Sequence, residues 1–311
     1  VADRNVHGPL AVCVPGQVAG MSLAHDLFAT VPWAELLEPA VKLAEAGLTI
    51  DWFAALVVAN GMRDLARYPA SRDVWLPGGF PPALDYAGTA KALPLGRLAE
   101  TLARVAEEGP DAFYRGEVGG ALVRDLQAMG GRLALDDLDA YAAREVAPLE
   151  IAYRDATLHT MPGLFAGPTL ARTLALLEPQ TLGGHPDVTA FTAYAEALQE
   201  AYAERLATMG AGDEAPSCTS HLCVVDRHGT LVAVTQTLLS LFGSRVVSPG
   251  TGLLVNNGVM WFDPRPGRPN SIRAGRRPLT NMCPLIGRGE GFRYAMGASG
   301  AANCWDCHGK H

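Results

Sequence analysis

The stretch that decides the fold is PSCTSHLCVVDRHGTLVAVTQT, Pro216–Thr237. Two short apolar segments lie on either side of Asp226–Gly229, a set of residues typical of a turn. The pattern predicts a β-hairpin with strands over Leu222–Val225 and Leu231–Thr237.

The hairpin brings two threonines together. With the four turn residues as the loop, Thr219 lies opposite Gln236 and beside Thr237, and a shift of one residue still leaves the two threonines close. One interpretation is that threonine only favours β-structure here. The other is chemical, because the first strand begins with the reactive and polar sequence Cys-Thr-Ser-His at positions 218–221.

The rest of the chain changes character near residue 210. Apolar residues at helical spacing predict helices over Trp33–Ala46, Trp52–Ala66, Leu98–Glu107, Ala112–Met129, Thr169–Leu177 and Val188–Met209. Strands are predicted within Leu149–Thr160, Gly252–Val255 and Tyr294–Met296, and the proline- and glycine-rich segment 68–94 reads as a surface loop. Helices followed by strands favour a layered α+β fold.

Composition excludes some classes of function. The chain has 311 residues, of which 49% are hydrophobic and 18% charged, with a formal net charge of −7. An acidic chain without a basic patch is not expected to bind nucleic acid. No apolar run reaches the roughly 18 residues of a membrane span, and six scattered cysteines form no disulfide framework. The sequence does not indicate the cellular compartment of the protein.

The hairpin sequence resembles the start of the small subunit of γ-glutamyltransferases, which begins with Thr-Thr-His or Thr-Ser-His. Further blocks resemble the same family in the same order: PLAVCVPGQVAGM (9–21), VPWAELLEPAVKLAEAGL (31–48), EEGPDAFYRGEVGGALVRDLQAMGGRLALDDLDAY (107–141), FGSRVVSPGTGLLVNN (242–257), RRPLTNMCPLI (276–286) and GASG (297–300). The resemblance covers nearly all of residues 8–301.

The resemblance implies an N-terminal nucleophile hydrolase, whose fold is a four-layer α-β-β-α sandwich. Members are made as one precursor that cuts itself into two subunits. Here the cut would fall between Cys218 and Thr219, with residues 1–218 as the mostly helical large-subunit part and 219–311 as the strand-rich small-subunit part of one domain. Members are longer at both ends, so the chain resembles the middle of one and its sandwich is expected to be incomplete.

The resemblance also implies roles for individual residues. Thr219 would be the nucleophile, and Thr237 would orient its hydroxyl. Gly300 and Ala301 match paired glycines whose backbone N–H groups form the oxyanion hole. Thr280 and Asn281 match two serines that bind the substrate α-carboxylate, and both can still donate hydrogen bonds.

These assignments are chemically consistent. Cleavage frees the α-amine of Thr219, and an amine with an ordinary pKa of about 7.7–8.0 suits a base near neutral pH. An N-terminal threonine and its own amine are a known nucleophile–base pair. The implied substrate is a γ-glutamyl or related acyl amide such as glutathione, and no cofactor is implied.

Three residues depart from the family pattern. Leu239 stands where the family has a substrate-binding asparagine. Gly258 and Trp261 stand where typical members have an acceptor side chain and an aspartate that hold the substrate α-amine. We therefore expect weaker recognition of that amine, with Trp261 either stacking on an apolar acyl group or filling the pocket.

Two alternatives remain beside a γ-glutamyltransferase. The chain could be an acylase for non-glutamyl amides, like the related cephalosporin acylases, or a non-catalytic relative that keeps only the fold. The C-terminal NCWDCHGKH contains a Cys304-x-x-Cys307-His308 pattern with His311 nearby. Such spacing can attach haem or bind metal, but the family has no such motif here, and no metal site is predicted.

Overall fold

A computed structural model describes residues 3–83, 91–210 and 218–298, with Cys218 described by its backbone alone. The predicted α+β class is confirmed. The chain divides into two compact units, one formed by residues 1–144 and 238–258 and the other by residues 145–237 and 259–311. The predicted subunit division at Thr219 concerns a backbone cleavage and stays a prediction.

Ten α-helices lie within the described ranges. They are α1 (Gln17–Phe28), α2 (Trp33–Ala46), α3 (Trp52–Leu65), α4 (Pro69–Trp75), α5 (Leu98–Glu108), α6 (Asp111–Tyr114), α7 (Glu117–Ala128), α8 (Leu135–Asp139), α9 (Gly167–Leu177) and α10 (Val188–Thr208). No helix in this described part is long and apolar enough to cross a membrane.

Eight strands are found in the same ranges. They are β1 (Leu48–Thr49), β2 (Ala92–Leu93), β3 (Leu149–Tyr153), β4 (Ala156–Thr160), β5 (Cys218–Val225), β6 (Leu231–Leu239), β7 (Leu285–Gly289) and β8 (Phe292–Met296). They form an antiparallel β1–β2 pair, a sheet in the order β3-β4-β7-β8, and the β5–β6 hairpin.

Three sequence predictions were wrong in detail. The segment 68–94 is not simply a loop, because α4 begins at Pro69, a residue that favours the first turn of a helix. The helix predicted over Ala112–Met129 is two helices, α6 and α7, separated at Arg115 and Gly116. Gly252–Val255 is not a strand and contributes only an isolated bridge from Leu254 to Val247.

The first unit has an apolar core around α7. Leu122 and Leu126 of this helix and Leu138 of α8 are fully buried. They belong to one cluster with Val246 and Val255, which the chain contributes after β6. Burial of side chains of this size is the main source of stability in such a unit.

The second unit contains the four-stranded antiparallel sheet. One face is apolar, with Ile151, Leu158 and Leu285 packed against Leu170 and Leu174 of α9. Because alternate residues of a strand share a face, this pattern fixes which side of the sheet the helix covers.

A three-residue turn closes the β5–β6 hairpin. The Asp226 N–H donates to the Thr230 carbonyl at 3.1 Å, and the Asp226 carboxylate accepts the N–H groups of His228 and Thr230 at 2.8 Å. Gly229 has φ 80°, as expected at the last position of such a turn. The loop is one residue shorter than predicted, so the register shifts by one and Thr219 lies opposite Thr237.

The hairpin contacts the segment that follows β8 through His221. The His221 Nδ1 atom lies 2.8 Å from Thr235 Oγ1, and its Nε2 atom lies 3.1 Å from Cys223 Sγ. A Cβ atom added at Gly297 would lie 2.2 Å from Cε1 of the His221 ring. Gly297 is therefore required to be small because the imidazole occupies the space of a side chain.

This contact predicts the effect of Gly297→Ala. Overpacking of this kind costs about 1–3 kcal/mol, so the free energy of unfolding, measured by urea denaturation, should fall by about that amount. His221→Ala in the same chain should restore much of the loss. Gly184→Ala is the control, since a Cβ atom there meets nothing within 4 Å. Equal losses from Gly297→Ala with and without His221 would show that the imidazole is not the obstacle.

Candidate active site

The two threonines predicted to act together are in contact. Thr219 is the second residue of β5, and its hydroxyl donates a hydrogen bond to the Thr237 hydroxyl at 3.3 Å. Both side chains are half-buried. The bond holds the Thr219 hydroxyl oxygen in place and leaves lone pairs of that oxygen available to attack a carbonyl carbon.

The Thr219 face of the hairpin carries several other polar groups. Residues alternate between faces along a strand, so Thr219, His221 and Cys223 share one face of β5. Thr235 and Thr237 lie opposite them on β6. The His221–Thr235 bond could not be predicted from the sequence, because the predicted hairpin register differs by one residue from the observed one.

Several predicted site residues lie outside the described residues. These are Gly300 and Ala301, and the tail residues Cys304, Cys307, His308 and His311. The backbone of Cys218 is described and begins β5, so the predicted cleavage bond joins the first two residues of this strand. Across 3–83, 91–210 and 218–298, no group of three or more His, Cys, Asp or Glu side chains could hold a metal ion.

Thr280 and Asn281 lie in a segment held by its backbone. The Thr280 N–H donates to the Leu164 carbonyl at 2.8 Å, and the Ala166 N–H donates to the Met282 carbonyl at 3.2 Å. The Thr280 hydroxyl oxygen is buried and has no hydrogen-bond partner among the described residues. Asn281 is exposed. The pair thus combines a buried, unsatisfied hydroxyl with an exposed amide side chain.

Arg205 of α10 supports this pair and was not predicted. Its Nη2 atom donates to the Thr280 carbonyl at 2.8 Å and to Asn281 Oδ1 at 3.3 Å. Burial lowers the pKa of the Arg205 guanidinium from its ordinary value. A signal was available in the sequence, because Arg205 continues the four-residue spacing of the buried alanines Ala197 and Ala201 on one face of the helix.

Leu239, a departure from the family pattern, is buried and has a left-handed backbone with φ 83°. This conformation costs leucine roughly 1–2 kcal/mol, whereas asparagine adopts it more readily. The asparagine expected at this position would therefore fit the backbone better than leucine does.

Gly258, the second departure, packs against Cys13. A Cβ atom at Gly258 would lie 3.0 Å from both Cβ and Sγ of Cys13, so a larger residue needs this cysteine to move. Burial raises the pKa of the Cys13 thiol to about 12, and the thiol is therefore uncharged near neutral pH. The absence of an acceptor side chain at Gly258 thus has a packing reason.

Trp261, the third departure, is followed two residues later by a carboxylate that is already neutralised. Asp263 is buried and binds the Arg265 guanidinium through both oxygens, each at 2.8 Å. These hydrogen bonds hold the pKa of Asp263 below its ordinary value. Asp263 is therefore a poor replacement for the aspartate that Trp261 displaces.

Comparisons with known proteins identify one family and several relatives. The family described as gamma-glutamyltranspeptidase matches residues 2–216 and 211–308. Acylase ACY 1 proenzyme of Pseudomonas sp. (strain V22) is 33% identical over 96% of this chain and 60% of its own length. Glutathione hydrolase proenzyme of Escherichia coli (strain K12) is 30% identical over 92% of this chain and 58% of its own length.

A solved structure shows the same fold. The crystal structure of cephalosporin acylase from Bacillus halodurans superposes with a TM-score of 0.80 at 21% identity, covering 91% of this chain and 58% of that one. The predicted N-terminal nucleophile hydrolase fold is therefore confirmed. The chain spans about 60% of the length of the curated relatives it matches. With the family matched over most of its residues and the hairpin threonines in contact, the chain belongs to the gamma-glutamyltranspeptidase family.

Proposed function

We propose that the protein containing this chain is a self-processing amide hydrolase and acyltransferase with Thr219 as its nucleophile. The observation that carries the proposal is the 3.3 Å hydrogen bond from the Thr219 hydroxyl to Thr237 at the start of β5. It supports a role for Thr237 in orienting the nucleophile. The proenzyme names of relatives support formation of both subunits from one precursor.

The first reaction is cleavage of the Cys218–Thr219 bond. The Thr219 oxygen attacks the Cys218 carbonyl carbon, the C–N bond breaks as the acyl group moves from nitrogen to oxygen, and the hydroxyl proton passes to the leaving nitrogen. Water then hydrolyses the ester. The products are a carboxylate on Cys218 and a free α-amine on Thr219, which has an ordinary pKa near neutrality, about 7.7–8.0.

The second reaction is acyl transfer from an amide donor. The α-amine accepts the Thr219 hydroxyl proton as the oxygen attacks the donor carbonyl, and the leaving amine takes a proton as the C–N bond breaks. Water or an acceptor amine then cleaves the threonyl ester. By family resemblance, the backbone N–H groups of Gly300 and Ala301 stabilise the negatively charged oxygen. Each such donor typically raises the reaction rate by a factor of about 10²–10³.

The acyl group is proposed to carry a carboxylate but to need no α-amine. Thr280 and Asn281 keep hydrogen-bonding groups for the carboxylate, and Arg205 contacts both residues. Leu239, Gly258 and Trp261 lack the groups that hold an amine. The donor class therefore includes γ-glutamyl amides and also acyl amides such as glutaryl compounds, in agreement with the similarity to an enzyme named an acylase.

Thr219→Ala should leave the precursor uncut, because the attacking hydroxyl is gone. Mass spectrometry of the purified variant should give one chain where the unchanged protein gives two. Processing of the variant at Cys218–Thr219 would mean that another protease makes the cut. A wild-type protein that stays in one piece would favour the non-catalytic alternative.

Thr237→Val should slow maturation while preserving the fold. Loss of one hydrogen bond worth about 0.5–1.5 kcal/mol predicts a decrease of about 2- to 12-fold in the cleavage rate. Thr235→Val is the matched control, since the Thr235 hydroxyl contacts His221 and not Thr219. Cleavage at the wild-type rate in Thr237→Val would reduce this residue to a packing role.

The protein should discriminate only weakly between donors that carry an α-amine and donors that lack one. We expect kcat/KM of the full-length protein for a γ-glutamyl anilide to exceed that for a glutaryl anilide by less than roughly 150-fold, because one charged contact of about 1.5–3 kcal/mol is missing. Trp261→Asp should raise this ratio, whereas the control Trp261→Phe should not. A wild-type preference well above roughly a thousandfold would show that another residue binds the amine.

A further inference from the structure

Arg205 is a buried cation on the inner face of α10. It is 5% exposed and follows Ala197 and Ala201, which are buried at intervals of one helical turn. Transfer of a guanidinium from water to such a position is unfavourable unless other groups compensate its charge. The groups around this side chain therefore decide whether its burial is favourable.

All hydrogen-bond partners of Arg205 within the described ranges are neutral. Nη1 donates to the Phe165 carbonyl at 3.3 Å and to the Thr169 hydroxyl at 3.1 Å, and Nη2 donates to the Thr280 carbonyl and to Asn281 Oδ1. Across 3–83, 91–210 and 218–298, no carboxylate lies within 4.0 Å of this guanidinium.

A neighbouring arginine shows the ordinary arrangement. Arg172 of α9 is partly exposed and binds Glu200 at 2.6 Å and Glu204 at 2.9 Å, both on α10. The acidic residues of α10 thus neutralise the exposed arginine, while the buried one keeps its positive charge. An uncompensated buried charge favours a negatively charged ligand nearby.

The unsatisfied Thr280 hydroxyl marks the place for such a ligand. Thr280 is 7% exposed, its N–H and carbonyl are bonded to Leu164 and Arg205, and its hydroxyl has no partner in the described part of the chain. A buried hydroxyl without a partner is unfavourable. A ligand carboxylate would satisfy this hydroxyl and at the same time balance the charge of Arg205.

We propose that Arg205 is a positioning and specificity-determining residue of the Thr280–Asn281 subsite, where its charge selects donors with a terminal carboxylate over neutral ones. The proposal rests on the proposed acyl-transfer function. Arg205 acts through Thr280 and Asn281, to which it donates hydrogen bonds, and it need not touch the donor.

The test compares two donors that both lack an α-amine. One is glutaryl 4-nitroanilide, and the other is the same anilide with its terminal carboxylate converted to a primary amide. The ratio of their kcat/KM values measures preference for the charged donor in the full-length protein. A wild-type protein that hydrolyses neither anilide contradicts the proposed function itself, which separates that failure from a failure of this inference.

Arg205→Gln should lower the ratio by roughly tenfold or more, because the charge is lost. Arg205→Lys keeps the charge and should retain the ratio to within about threefold, although both donors react more slowly. The control Arg172→Gln makes the same change at a neighbouring arginine that has its own glutamates, and should leave the ratio unchanged. Equal losses for both donors in Arg205→Gln would make Arg205 a purely structural residue and overturn the proposal.

Asn281→Asp decides the question if Arg205→Gln does not fold. It places a carboxylate beside a guanidinium that has no carboxylate partner in the described part of the chain, so the temperature of thermal unfolding should rise by several degrees, on the order of 2–8 °C. Gln199→Glu, the same type of change on an exposed residue of α10 without a hydrogen bond to Arg205, should not raise it. A wild-type or lower unfolding temperature in Asn281→Asp would show that the charge is already balanced, and the proposal would fail.

Discussion

The register of the β5–β6 hairpin is the constraint on which the rest of the candidate site depends. The short turn fixes this register because the Asp226 carboxylate accepts two backbone N–H groups and Gly229 adopts a left-handed conformation. A slip of one residue changes which side chains share a face. Thr219 would then lose its hydrogen bond to Thr237. The proposed nucleophile, Thr219, is thus positioned by a surface turn at the opposite end of two strands, and its contact with Thr237 depends on backbone geometry seven residues away.

The two ends of the proposed donor site have diverged to different extents. The proposed carboxylate side has two hydrogen-bonding residues, Thr280 and Asn281, and the buried Arg205 guanidinium donates hydrogen bonds to both. By family resemblance the proposed amine side lacks its polar groups, and the carboxylate of Asp263, two residues after Trp261, is paired with Arg265. Acyl transfer needs the nucleophile and the oxyanion donors, but it does not need an amine on the acyl group. A family member can therefore change its donor without losing its reaction.

Local sequence predicted those parts of the fold that depend on local forces. The bounds of α2 agree with the structure because its helical periodicity ends at Gly47. β7 was missed because Gly287 and Gly289 interrupt its apolar alternation. Gly287 is instead explained by tertiary structure, since the Tyr294 ring occupies the space of a Cβ atom there. In the same way, Thr219 and Thr237 could be predicted from a turn and two strands. The spacing of Arg205 with Ala197 and Ala201 indicates a buried position, but it does not indicate which residues surround the guanidinium. Its neighbours come from segments about 40 and 75 residues distant, and a single arginine in a helix usually faces solvent.

The central claim is that Thr219 cuts its own chain and becomes an N-terminal nucleophile. The most direct measurement is a time course of intact mass for freshly made wild-type protein at several protein concentrations. The account predicts a new chain whose first residue is Thr219, formed with a first-order rate constant that is independent of concentration, because the attack is intramolecular. A rate that rises in proportion to protein concentration, or a cut at any other bond, would contradict it.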